Sequence, residues 1–280
     1  MQTASSIPAG REGARPARRM IFVHHSVGAD LIKEGNVRGL LRAQAPSLEL
    51  WDYGYNPPRL RRLAREAARR MLGRAPSMVS HHYGLRDASG QRLGTNFHVP
   101  YDNTDPDGLA AVFAHPATNP PSNTFSHLLH FDVIGFKSCF TMLPLTSEEH
   151  LERCKRHYLA IRDVIDQHPD KLFIPMTPPP LRATLTTSEQ AQRARRYARW
   201  IMSTEFRGGR ANMLPYDLFD ALAAAEGEPE ADTLRPEYCR DDGGDTHPNA
   251  LANQRVAAHW VAFVAQVAGK ALDAMPGRYE

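Results

Sequence analysis

The chain has 280 residues, of which 42% are hydrophobic and 23% charged, and its formal net charge is +3. This composition is typical of a globular protein, and the charge lies below the strongly basic balance of a dedicated nucleic-acid-binding protein. Three scattered cysteines exclude a disulfide framework and a Cys-x-x-Cys zinc site, and they fit a reducing compartment, so we expect a cytoplasmic protein.

The beginning of the chain is polar and rich in arginine, without the apolar segment of a secretory signal. We expect residues 1–17 to be a flexible tail and residues 18–280 to form a single domain. No stretch of about 18 apolar residues occurs, so a membrane is not an expected partner.

The first predicted strand is an apolar run from Met20 to Val23, which ends in the polar cluster His24-His25-Ser26. A helix is expected over residues 29–44, interrupted by a Gly-Asn pair. Alternating residues at 48–53 predict a second strand. Gly54 ends that strand, and Asn56 follows it.

A third periodic segment predicts a helix over residues 58–72, where apolar side chains recur at three- and four-residue steps. Its other side carries a series of arginines between Arg59 and Arg70. This side is either a solvated surface or a binding site for an anionic group of a partner.

The segment 73–122 is irregular and rich in proline, glycine and polar residues, apart from one short helix expected over residues 107–114. Its aromatic residues argue that it is ordered. We interpret it as an insertion that covers the active site and determines which substrate binds.

Regular structure resumes with a third strand at residues 131–137, and further strands are expected at 172–174 and 212–214. Helices are predicted between these strands, one of them over residues 188–206, and a last helix is predicted from Pro248 onwards. Alternating strands and helices predict an α/β fold, a three-layer αβα arrangement around a parallel sheet of about five strands.

Reactive residues follow the predicted strands at their carboxyl ends, where sites form in open parallel sheets. Acyl transfer needs a nucleophile, a base, a group that orients the base, and donors for the oxyanion. Ser26 alone is typical of a helix cap. Its combination with His247, just before the last helix, predicts a nucleophile and its base.

Two blocks of the chain resemble the SGNH (GDSL-like) hydrolases: His25-Ser26-Val27-Gly28 after the first strand, and Asp245-Thr246-His247-Pro248-Asn249 before the last helix. The His-His-Ser-x-Gly opening is similar to that of a bacterial branch of this superfamily. The resemblance implies a flavodoxin-like sheet and a serine nucleophile. It also implies esterase chemistry without a cofactor, and we expect the substrate to be a small molecule or a sugar.

The resemblance also implies roles for other residues. Asp245 or Asp242 would orient the imidazole, since the usual position three residues before the histidine holds Gly244. The N–H groups of Ser26 and Gly54 would hold the oxyanion. The third block lacks the family's asparagine and offers a different set of residues. Further candidates for oxyanion or substrate binding are Lys137, Ser138, Asn56 and His25.

Three functions are therefore open. The first is a serine hydrolase or acyltransferase that acts on an ester. The second is an SGNH-like binding protein without hydrolytic activity, favoured by the altered third block. The third is a metal- or acid/base-dependent enzyme that uses the same crevice. We expect no metal, because adjacent histidines such as His24-His25 point to opposite sides of a strand and supply at most one ligand.

Overall fold

The computed structural model describes residues 18–55, 84–94, 99, 106–138, 145–241 and 245–273. Their centre is a five-stranded sheet with the strand order β3-β2-β1-β4-β5. All neighbouring strands are parallel except β3, which pairs with β2 in the antiparallel direction. The strands are β1 Arg18–His24, β2 Leu48–Gly54, β3 Gly84–Arg86, β4 Val133–Phe136 and β5 Leu172–Pro175.

The two edges of the sheet differ from the sequence-based prediction. The expected fifth strand at 212–214 is reduced to single parallel bridges, from Met213 to Phe173 and from Tyr216 to Met176. The other edge gains β3, which the sequence did not predict because the segment is three residues long. The predicted strands still follow the doubly wound order two-one-three-four-five, which is the flavodoxin-like order.

Helices cover both faces of the sheet, so the predicted three-layer α/β fold is confirmed. Side chains of β1 alternate between the layers, with Phe22 packed on one side and Ile21 and Val23 on the other. The described α-helices are α1 Ser26–Glu34, α2 Val37–Gln44, α3 Asp107–Phe113, α4 Thr124–Leu128, α5 Glu148–Ile165, α6 Ser188–Met202, α7 Thr204–Arg207, α8 Leu218–Leu222 and α9 Ala250–Asp273.

One helical layer is formed by α1, α2 and α9, which contact one another, and the opposite layer contains α3, α5 and α6. The described part of the predicted insertion contributes β3 to the sheet edge and α3 to the second layer. Three predicted parts lie outside the described residues: the tail 1–17, Asn56, and the helix over residues 58–72 with its arginines from Arg59 to Arg70. Among the helices that can be described, none is long and apolar enough to cross a membrane.

The strand order places the expected position of a binding site at the carboxyl ends of the neighbouring strands β1 and β4. Chain connections leave these two neighbouring strands towards opposite sides of the sheet, which opens a crevice at their carboxyl ends. β1 ends at His24 and α1 begins at Ser26, so a single residue separates strand and helix. Ser26 is thereby held at the edge of this crevice.

Candidate active site

Ser26 is the first residue of α1, and its hydroxyl does not cap the helix. His25 occupies the N-cap position, and no side chain caps the backbone there. The Ser26 Oγ lies instead 2.7 Å from Nε2 of His247, a residue 221 positions away in the chain. The structure thus brings the two predicted residues together within hydrogen-bond distance.

The loop that carries His247 is anchored by Asn249. The side-chain amide of Asn249 donates to the carbonyls of Glu237, at 2.8 Å, and Cys239, at 3.1 Å. Its Oδ1 accepts from the N–H of Ala252, at 3.0 Å, in the first turn of α9. The helix start and the preceding loop are thereby held together, which positions the imidazole opposite Ser26.

Asp245 contacts the other nitrogen of the same ring. Its Oδ1 accepts a hydrogen bond from Nδ1 of His247 and a second one, at 2.9 Å, from the backbone N–H of His247. Burial raises the pKa of the Asp245 carboxyl, but the hydrogen bonds from His247 and the charge of Arg240 outweigh burial and lower the pKa overall. An ionised carboxylate only accepts, so Nδ1 carries the proton and Nε2 accepts from the Ser26 hydroxyl.

Arg240 joins this loop to α1, a contact that the sequence did not predict. Its guanidinium lies 3.7 Å from Oδ2 of Asp245. The same group donates to Asp30, at 3.1 Å, and to Glu34, at 3.0 Å, both on the helix that begins with Ser26. Arg240 therefore connects the acid of the site to the helix of the nucleophile.

The backbone donors of the two predicted oxyanion residues point in different directions. Ser26 is at the N-terminus of α1, where N–H groups have no partner within the helix. The next residue after Gly54, Tyr55, donates its N–H to the carbonyl of His24 at 3.1 Å. Because backbone groups alternate along a strand, the N–H of Gly54 faces β3, where Gly84 is its partner in the register. The strand pairing therefore favours Ser26 as the donor.

Of the other predicted binding residues, Lys137 and Ser138 are buried and His25 is partly buried. The His25 ring makes an edge contact with Tyr55, at 4.4 Å between ring centres, on the side away from His24. The Ser138 hydroxyl lies 3.4 Å from the phenol oxygen of Tyr158, in the layer opposite α1. Lys137 is fully buried at the end of β4. Asp242 lies outside the described residues.

A second histidine–aspartate pair lies directly beneath Ser26, and sequence reasoning missed it. The fully buried ring of His24 places Nε2 at 3.1 Å from Oδ2 of Asp52, whose other oxygen accepts from Arg38. Burial raises the pKa of the Asp52 carboxyl, but His24 and Arg38 outweigh burial and lower it overall. The sequence did contain a signal. His24 and Asp52 lie near the ends of adjacent strands, and each continues a series in which every second residue is apolar and packs into the same layer.

Within the described parts of the chain, no group of three or more histidine, cysteine or acidic side chains is arranged to hold a metal ion. The expected absence of a metal stays a prediction.

Comparison with protein-family models and with curated proteins finds no match. The similarity to SGNH hydrolases therefore rests on the two sequence blocks quoted above.

Proposed function

We propose that the chain is a serine-dependent ester hydrolase or acyltransferase of the SGNH type. Its expected substrate is an ester or O-acyl group on a small molecule or a sugar, and its expected location is the cytoplasm. The observation that supports the proposal most strongly is the chain of contacts from Ser26 Oγ through His247 to Asp245. Nucleophile, base and orienting acid are the parts that acyl transfer requires.

In the proposed reaction, Ser26 Oγ bonds to the ester carbonyl carbon while Nε2 of His247 takes the hydroxyl proton. The carbonyl electron pair moves onto oxygen and forms a tetrahedral oxyanion. When the pair returns, the bond to the alcohol breaks, and His247 gives that alcohol its proton. Water completes hydrolysis of the acyl-serine, or an acceptor alcohol completes acyl transfer.

The oxyanion needs donors that are in place before the reaction, because preorganised donors stabilise the transition state without a cost of rearrangement. The N-terminus of α1 provides the Ser26 N–H and the partial positive charge of the helix dipole at the same point. This arrangement does not require the asparagine that the third block lacks.

A fluorophosphonate probe tests the proposal. The wild type should be labelled and Ser26→Ala should not, because a serine hydroxyl reacts only when a neighbouring base takes its proton. Thermal stability of Ser26→Ala should change by less than about 0.5 kcal/mol, since its hydroxyl does not cap α1.

Ser203→Ala is the matched control. Ser203 caps α7 by accepting from the N–H of Phe206 at 3.3 Å. This variant should lose about 1 kcal/mol of stability and keep full labelling. An unlabelled wild type would favour the binding-protein function, whereas labelling that survives in Ser26→Ala would assign the reaction to another residue.

A further inference from the structure

The buried His24 ring fills the space directly under the first turn of α1. A Cβ atom at Gly28 would lie only 2.7 Å from Cγ of His24, so a larger residue would push the helix off the ring. On the strand side, the ring centre of Phe22 lies 5.1 Å away. The ring therefore packs closely between the sheet and the helix that carries Ser26.

Both nitrogens of this ring face oxygen atoms that only accept hydrogen bonds. Nδ1 lies 2.7 Å from the carbonyl oxygen of His25, and Nε2 lies 3.1 Å from the Asp52 carboxylate. A carbonyl has no proton to give, and Asp52 is held as a carboxylate by Arg38. Donation to both acceptors requires a proton on each nitrogen, and a ring that donates at both nitrogens is an imidazolium that cannot serve as a base.

The carbonyl of His25 belongs to the same peptide group as the N–H of Ser26. It accepts from His24 and also, at 3.1 Å, from the N–H of Ala29. These two bonds fix its direction into the helix. Because the peptide is planar and trans, the N–H of Ser26 must point the opposite way, out of the helix N-terminus.

We propose that His24 is a positioning residue that orients and polarises the His25–Ser26 peptide, so that the Ser26 N–H stabilises the oxyanion. Asp52 and Arg38 hold the ring and balance its charge. A hydrogen bond from a charged donor is about twice as strong as a neutral one, and it draws electron density from the peptide, which makes its N–H a better donor. This role rests on the proposed serine-hydrolase function.

Two substitutions of His24 separate positioning from structural support. In His24→Asn the amide nitrogen takes the place of Nδ1, so the bond to the His25 carbonyl survives and the bond to Asp52 is lost. In His24→Gln the amide reaches the place of Nε2, so the bond to Asp52 survives and the bond to the carbonyl is lost. If His24 had a purely structural role, His24→Gln would be more active than His24→Asn, because His24→Gln keeps the hydrogen bond to the buried Asp52 carboxylate.

Hydrolysis of p-nitrophenyl acetate by the full chain provides the measurement, with thermal midpoints recorded for each variant. We expect His24→Gln to lower kcat by roughly ten- to a hundredfold at unchanged KM, because a transition-state donor is weakened. We expect His24→Asn to keep kcat within about threefold of the wild type, even if it is the less stable variant. A kcat for His24→Gln that equals or exceeds that of His24→Asn overturns the role.

Asp52→Asn keeps the inference testable if the His24 variants do not fold. The ring can still donate to the His25 carbonyl, but as a neutral group, so kcat should fall about three- to tenfold at unchanged KM. An unchanged kcat would contradict polarisation by His24. A wild type that neither turns over the ester nor reacts with a fluorophosphonate would instead refute the proposed function, which distinguishes the two failures.

Discussion

Two histidine–aspartate pairs lie on either side of Ser26, and they differ in burial and in what the rings face. His247 and Asp245 sit in the crevice, with side chains 27% and 29% exposed. His24 and Asp52 lie beneath the peptide of Ser26, with side chains 0% and 4% exposed. The same two residue types therefore occupy an open and a closed environment on either side of one nucleophile.

In each ring, the nitrogen that does not face the aspartate determines what that ring can do. Nε2 of His247 faces a hydroxyl, which can donate, so this ring can be neutral and act as a base. Nδ1 of His24 faces a carbonyl, which can only accept, so this ring must donate at both nitrogens. The comparison teaches that the acceptors around an imidazole, and not its aspartate, distinguish a base from a fixed cation.

The largest expected effect on activity comes from Asp245→Asn, a change in the histidine–aspartate pair of the crevice. The asparagine can present an N–H to Nδ1 and favour the wrong tautomer, so we expect kcat for ester hydrolysis to fall roughly 10³- to 10⁴-fold. Stability should change by less than about 1 kcal/mol, because the pair is partly exposed to solvent. Ester kinetics measure the expected fall in kcat, and chemical denaturation measures the expected change in stability. A variant that keeps more than a tenth of the wild-type kcat would remove Asp245 from the mechanism.

Asp52→Asn is the matched change in the buried pair, and it should show the opposite pattern. Removing this carboxylate leaves Arg38 without its counter-ion and the buried His24 ring without its charged acceptor, so we expect a loss of about 3 kcal/mol in the free energy of unfolding. Its effect on kcat should be far smaller than that of Asp245→Asn. Equal stability of the two variants would contradict the assignment of Asp52 as a buried ionised group.

The smallest expected effect is a change with pH in the stability that the buried Asp52 contributes. The folded pKa of Asp52 is lowered from its ordinary value of 3.8, so its ionised form stabilises the protein above that value and the contribution is lost as the pH falls through the folded pKa. The stability difference between the wild type and Asp52→Asn should therefore be full near neutral pH and should narrow below pH 3.8. Denaturation curves in which this difference stays constant in acid would show that Asp52 is not ionised in the fold.

Much of the fold and the central contact could be predicted from the sequence. Buried strands read as apolar runs, and Ser26 and His247 flank the first strand and the last helix, where parallel sheets form their sites. The helix expected over 107–114 is present as α3, and the helix expected over 188–206 is present with a break at Ser203, where a second cap begins α7.

Other features depend on contacts that no local pattern encodes. Arg240 contacts Glu34 across 206 positions of the chain, and no spacing or periodicity relates the two. The prediction that Gly54 helps to hold the oxyanion did not consider a third strand at that edge, where Gly54 pairs with Gly84. The environment of His24 is decided by the register of β1 and β2 together with the position of α2, so it becomes visible only when the sheet is assembled.

The formation of an acyl-enzyme tests the central claim most directly. Wild-type protein is mixed with p-nitrophenyl acetate, quenched in acid during turnover, digested and sequenced by mass spectrometry, with His247→Gln as the control. We predict an acetyl group on Ser26 of the wild type, together with a burst of nitrophenolate, and neither in the variant, where no base activates the hydroxyl. Turnover of the ester with Ser26 unmodified, or with the acetyl group on another residue, would contradict the account.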